Sequence, residues 1–174
     1  LSNSILLTGL NEYYETPLMV AIRKGAGINM IKLLLHPKII HNKNNIGEST
    51  FFYCAKYNNH HHLRYFNLFK KEDSLSEVNK NGNTPLISYL SYNFNSIEYC
   101  VVKYLATPET LPICNKSSET ALEIAIMYEN YSIIRLLLYP GALTRRDHNG
   151  LTPIELAIMM GLTDKTIIKL LMGD

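Results

Sequence analysis

A chain of 174 residues that is 47% hydrophobic and 18% charged carries enough apolar material for one sizeable domain and too little charge for a disordered tail. Its 17 lysines and arginines against 15 acids leave a formal charge of +2, too small a surplus for the basic face that nucleic acid requires. No apolar run approaches the roughly 18 residues of a membrane span, and the opening LSNSILLTGLN lacks the basic start and long apolar core of a signal peptide. Nucleic acid and membrane insertion are therefore not expected.

Cysteine usage points the same way. Cys54, Cys100 and Cys114 are odd in number and form no CxxC pair, which suits a reduced, cytoplasmic protein, the host cytosol included if the chain is a pathogen effector.

In chain order, SILLTG (4–9) reads as the end of an earlier helix, and five related segments follow. TPLMVAI, STFFYCA, TPLISYL, TALEIAI and TPIELAI begin at 16, 49, 84, 120 and 152, so successive copies are 33, 35, 36 and 32 residues apart. Behind each comes a second apolar block at helical spacing, such as MIKLLL (30–35), LRYFNLF (63–69), VVKYL (101–105), IIRLLL (133–138) and IIKLLM (167–172). Each unit is thus two short helices. Thr16, Thr84, Thr120 and Thr152 suit the N-cap, where a hydroxyl accepts from an exposed amide, and the Pro that usually follows loses no hydrogen bond there. Leu18, Leu86, Leu122 and Ile154 point into the stack, while Ala21, Cys54, Ala125 and Ala157 are small where helices approach closely. Between units lie NKNNIGES, NKNGNT, NKSSET and RDHNGLT, rich in residues that accept positive φ and read as projecting turns. The third unit carries extra residues, NFNSIEYC, between its helices.

These segments resemble the ankyrin repeat family, whose G-x-T-P-L-H-x-A signature is fullest in GNTPL (82–86) and GLTPI (150–154). The resemblance implies an all-α solenoid of helix-turn-helix units joined by projecting hairpin-like turns. Residues 1–174 are read as one domain of about five repeats starting near Thr16, Ser49, Thr84, Thr120 and Thr152. Neither end carries a polar closing helix, so the array is expected to continue in a longer protein. The signature His is replaced by Met19, Phe52, Ile87, Glu123 and Glu155, and Tyr14 and Ser118 stand where a turn glycine is usual. Both departures are expected to weaken local hydrogen bonding. Tetratricopeptide repeats have a similar period, but their Trp-containing signature is absent and the chain has no Trp.

Catalytic motifs of the nucleophile-elbow, phosphate-loop, zincin and dinucleotide types do not occur, so no catalytic residue, metal or cofactor is expected and the chain is read as a non-enzyme. His60, His61 and His62 are consecutive, whereas helical metal ligands sit three or four positions apart, which favours a solvated loop. SEVNKNG (76–82) is similar to the turn that asparaginyl hydroxylases modify in ankyrin proteins, with Asn79 at the modified position, while an Asn that closes its own turn explains the same letters.

A binding role follows from the resemblance, because ankyrin partners lie along the concave face of turn tips and first-helix ends. The eighth and ninth positions of the repeats are Arg23 and Lys24, Lys56 and Tyr57, Ser91 and Tyr92, Met127 and Tyr128, and Met159 and Met160. Tyr57, Tyr92 and Tyr128 form a candidate ladder, flanked by basic residues at one end and adaptable methionines at the other. Packing against neighbours is the competing explanation for these side chains. The turn tips add Lys80, Asn81, Lys116 and His148, a polar set that favours an acidic rim on a protein partner. A targeting or regulatory domain of a larger enzyme or effector is the alternative reading. If the three histidines are only a solvated loop, Zn²⁺ should leave the melting temperature unchanged; a saturable rise abolished by His60→Ala with His61→Ala overturns that reading.

Overall fold

The computed structural model describes residues 9–37, 39–57, 62–69 and 74–173, with side chains from Tyr65 onward in the third of these segments. Among these residues ten short helices follow in pairs: α1 (Pro17–Arg23) and α2 (Ile28–Leu34), α3 (Thr50–Lys56) and α4 (His62–Phe69), α5 (Pro85–Tyr92) and α6 (Tyr99–Leu105), α7 (Ala121–Met127) and α8 (Tyr131–Leu137), α9 (Pro153–Met159) and α10 (Lys165–Met172). A 3-10 turn, Ala142–Thr144, precedes the fifth pair. First helices pack in succession, α1 on α3, α3 on α5, α5 on α7 and α7 on α9, which makes the chain an all-α solenoid. One isolated bridge, Lys43 to Ser49, is the β-type pairing recorded among the described residues.

The turns that lead into the five pairs are copies of one hydrogen-bonded unit. Asn11, Asn44, Asn79, Asn115 and Asp147 each begin a turn, and in each a single side-chain oxygen accepts the amides two and four residues on. For Asn79 the donors are Asn81 at 2.9 Å and Asn83 at 3.1 Å. The same residue's amide donates to the carbonyl four on, at 2.9 to 3.1 Å in all five copies. That closure forces the fourth residue to positive φ. Gly47, Gly82 and Gly150 meet the demand without strain, but Tyr14 and Ser118 are driven to it as well, both at φ 61°. Successive turns are then joined by backbone bonds, Asn45 N–H to Tyr13 carbonyl, Lys80 to Ile46 and Lys116 to Asn81. Gly82 serves this junction a second way, since a Cβ there would lie 3.0 Å from the Lys116 nitrogen.

Helix starts follow the expected caps, with refinements. The hydroxyls of Thr16, Thr84 and Thr152 accept from the amides of Met19, Ile87 and Glu155. Where Glu stands for the signature His, the position still makes hydrogen bonds at the helix start: Glu123 takes the Thr120 amide and hydroxyl, and Glu155 takes the Thr152 amide and hydroxyl. These are capping boxes, in which a carboxylate three residues on satisfies donors that the helix start leaves open.

The core is a continuous apolar seam through all five pairs. Leu18, Leu86 and Leu122 are buried in it and Ile154 packs against it. Cys54, Ala125 and Ala157 are buried at the close-approach position, whereas the third repeat places Tyr89 there, fully enclosed. The longer connection of that repeat is the compensation: the Glu98 amide donates to the Tyr89 hydroxyl at 2.7 Å, so the added loop wraps the larger side chain. Helix α4 is aromatic for a similar reason. Phe66 touches Phe51 at 5.1 Å and stacks on Tyr104 at 5.1 Å, while the Tyr65 hydroxyl donates to the Ala26 carbonyl, tying three repeats together.

The turn unit yields three measurable outcomes in chemical denaturation. Asn79→Ala should cost about 1–3 kcal/mol, since two amides lose their acceptor in a buried setting. Gly82→Ala should cost about as much through strain at positive φ and contact with Lys116. Ser118→Gly should instead stabilise by up to about 1 kcal/mol by removing the same strain.

Candidate functional site

Arg23, Lys56, Tyr92, Met127 and Met159 are the last residues of the five first helices. In the first two repeats these ends are organised by two buried acids. Glu15 accepts from Arg23 at 3.0 and 2.7 Å, from the Tyr53 hydroxyl at 2.7 Å and from Asn11 at 2.7 Å. Glu48 pairs with Lys56 at 3.2 Å and accepts from Asn44 at 3.2 Å and Asn79 at 3.4 Å. Asn44 also donates to the Tyr53 hydroxyl, so the two clusters form one network across adjacent repeats. Burial raises the Glu15 carboxyl, yet the bonds from Arg23, Tyr53 and Asn11 outweigh it and hold the group below its ordinary value.

Arg23 and Lys56 are therefore charge partners inside the stack, not free cations. The Lys56 side chain is only 17% exposed, and its ammonium lies 5.5 Å from the Tyr57 ring and 5.2 Å from the Tyr92 ring. A spacing present in both repeats signals the arrangement, because an acid just before the cap and a base eight residues later, Glu15 with Arg23 and Glu48 with Lys56, meet across one helix. Lys24 remains exposed.

Aromatic residues follow at these helix ends. Tyr57 meets Tyr53 at 5.2 Å and Tyr92 at 5.2 Å, the latter edge to face. Tyr128 is stacked at 5.0 Å on Phe94, a residue of the third repeat's added loop that sequence reasoning did not select. Tyr57 is half-buried, and Tyr92, Phe94 and Tyr128 are exposed. Met127 packs partly on the core, while Met159, Met160 and Ile158 stand in solvent beyond it. Among the turn tips Lys80, Asn81, Lys116 and His148 are exposed, and Arg146 reaches Glu155 at 3.4 Å. The acids near these tips are engaged, Glu119 by Asn115 and Glu123 by Arg145.

Asn79 is buried, with its oxygen on two amides and its nitrogen toward Glu48, the geometry of a turn-closing residue. His60 and His61 lie outside the described residues, as does the side chain of His62. No group of three His, Cys, Asp or Glu that could hold a metal ion occurs among the described residues. No helix among them is long and apolar enough to cross a membrane.

A family description, ankyrin repeats in three copies, matches residues 51–147, more than half of the chain. The chain belongs to the ankyrin repeat family. A search of curated proteins returns no match. Among solved structures, the chain is similar to one from the complex of the Bd0816 predatory endopeptidase from Bdellovibrio bacteriovorus with immunity protein Bd3460, at a TM-score of 0.74 and 22% identity over 97% of this chain and 85% of that one. That likeness is one of fold. The ankyrin architecture is typically an interaction module, and in this chain its aromatic edge is built over buried ion pairs.

Burial pushes the phenols of Tyr57 and Tyr89 up to about 12 from 10.0, Tyr57 with a further rise from neighbouring Tyr92. Both groups lose protons more readily in the unfolded chain, so the stability they contribute is intact below the unfolded value of 10.0 and is lost as pH rises towards 12. Alkaline titration followed by circular dichroism and phenolate absorbance should show unfolding within that window. Tyr89→Phe should weaken the dependence; a pH profile identical to wild type refutes the assignment for Tyr89.

Proposed function

We propose that this chain is a non-catalytic protein-interaction module of a reducing intracellular compartment, and that it holds its partner along the edge running from Tyr57 through Tyr92, Phe94 and Tyr128 to Met127, Met159 and Met160. The observation that carries this reading is a run of aromatic rings in contact along the first-helix ends, Tyr57 with Tyr92 and Phe94 with Tyr128, whose outer members stay exposed, Tyr92 at 53%, with Met159 at 61% one repeat on. Exposed apolar surface that continues over neighbouring repeats, bordered by polar tips, is the usual mark of a protein contact. Tyrosine adds large area at small entropic cost, and methionine adapts to irregular shapes.

Rim chemistry supports a partner of opposite charge. Lys24, Lys80, Lys116 and His148 face solvent while Glu15, Glu48, Glu119 and Glu123 are taken up by side chains of the stack. An acidic rim on the partner would speed encounter more than it would tighten the final complex. Arg23 and Lys56 contribute indirectly, by fixing the helix ends and the Tyr57–Tyr92 pair. A chain of similar fold stands in a two-protein complex in the solved endopeptidase and immunity protein structure, consistent with a scaffold of this shape serving protein contact.

Capture from cell extract followed by affinity measurement tests the site. Tyr92→Ala should weaken the captured partner by roughly 1–4 kcal/mol with an unchanged unfolding midpoint, as central aromatic anchors do. Lys24→Ala should cost much less and act mainly on the association rate. Equal affinities for wild type and Tyr92→Ala return the aromatic edge to ordinary packing.

A further inference from the structure

We infer that a groove across the starts of the last three second helices is a separate docking site for a peptide segment carrying a carboxylate beside an apolar side chain. The groove, about 620 Å³, crosses α6, α8 and α10 and is distinct from the aromatic edge. Its walls are Tyr99 and Tyr131, the first residues of α6 and α8, both exposed; Leu136, Ile167 and Leu170 supply an aliphatic floor. Helices α6 and α8, and α8 and α10, touch directly, so the walls are carried by packed elements rather than by loops.

Charge decides the occupant. Of the arginines with described side chains, Arg23, Arg145 and Arg146 each meet a glutamate of the chain. Arg135, in the groove and exposed, has no ion pair among the described residues. The acid that shares the groove, Asp164, is not paired with Arg135: one of its carboxylate oxygens accepts the amides of Thr166 at 2.8 Å and Ile167 at 3.1 Å and caps α10, so its charge is held at that helix start. A planar guanidinium presents paired donors that match a carboxylate, and two tyrosine faces beside it accept an aromatic or aliphatic side chain. A main-chain group of the segment finds the Thr166 hydroxyl, and a main-chain amide can still donate to the Ser132 oxygen, whose hydrogen goes to the Asn130 side chain at 3.0 Å. An acidic and apolar linear segment therefore complements Arg135 and the apolar lining beside it, whereas a basic segment would bring a like charge against Arg135.

The test pans a phage-displayed random heptapeptide library on the whole chain, then measures enriched peptides by fluorescence anisotropy. Wild type, Arg135→Glu, Arg135→Lys and Tyr92→Ala are compared, each checked for native circular dichroism. Enriched sequences should combine Asp or Glu with an aromatic residue or Leu. Arg135→Glu should weaken them about tenfold or more, Arg135→Lys less, because an ammonium lacks the paired geometry. Tyr92→Ala should leave them unchanged, which separates this groove from the aromatic edge. No enrichment, enriched peptides without an acid, or peptides that keep their affinity on Arg135→Glu overturn the inference.

Discussion

One side-chain oxygen at the start of each repeat holds this structure in register. An Asn or Asp oxygen takes two amides two and four residues downstream, the turn closes, and the following Thr or Ser is delivered to the helix N-cap. Because closure demands positive φ at the fourth residue, the geometry recurs even where Tyr14 and Ser118 resist it. The bonds from Asn45, Lys80 and Lys116 to the preceding turn then fix the step between repeats. Each helix pair buries its apolar face only against its neighbours, so that step determines whether the core closes.

The buried carboxylates follow from the same arrangement. Glu15 and Glu48 sit immediately before the caps, where the turns leave little water, and an acid so placed needs partners. Arg23 and Lys56 supply them from the far end of the same helices, and Asn11, Asn44 and Asn79 add bonds from the turns. Removing either member of such a pair leaves the other charge unsatisfied, which costs more than the pair itself contributes. Lys56 in turn sits beside the rings of Tyr57 and Tyr92, so a residue engaged in packing also shapes the exposed aromatic edge. The buried ion pair and the exposed aromatic edge are coupled here through one ammonium group.

Two surfaces of different character result. The first-helix edge is aromatic and thioether-rich with a cationic rim, suited to a broad protein contact. The groove between second helices carries Tyr99 and Tyr131 beside Arg135, a guanidinium with no ion pair among the described residues. An ankyrin stack can carry both because its helices present opposite sides of each pair to solvent, and because contact with neighbours consumes only the flanks.

The sequence by itself determined the repeat period, the pairing of helices and the Thr caps. All of these are set within about one repeat, where apolar spacing and turn chemistry act directly. Only the tertiary structure decided what those side chains meet. Tyr53 bonds Glu15 across 38 residues and Asn79 reaches Glu48 across 31, distances at which spacing alone cannot name a partner. Tyr89 stands where the other repeats have a small residue because the added loop bonds its hydroxyl, and Phe94 joins the aromatic edge from that same loop. Arg23, Lys56 and Arg135 are alike in sequence as basic residues on short helices. A buried acid within reach makes the first two internal ion pairs, whereas Arg135 is paired with no acid among the described residues.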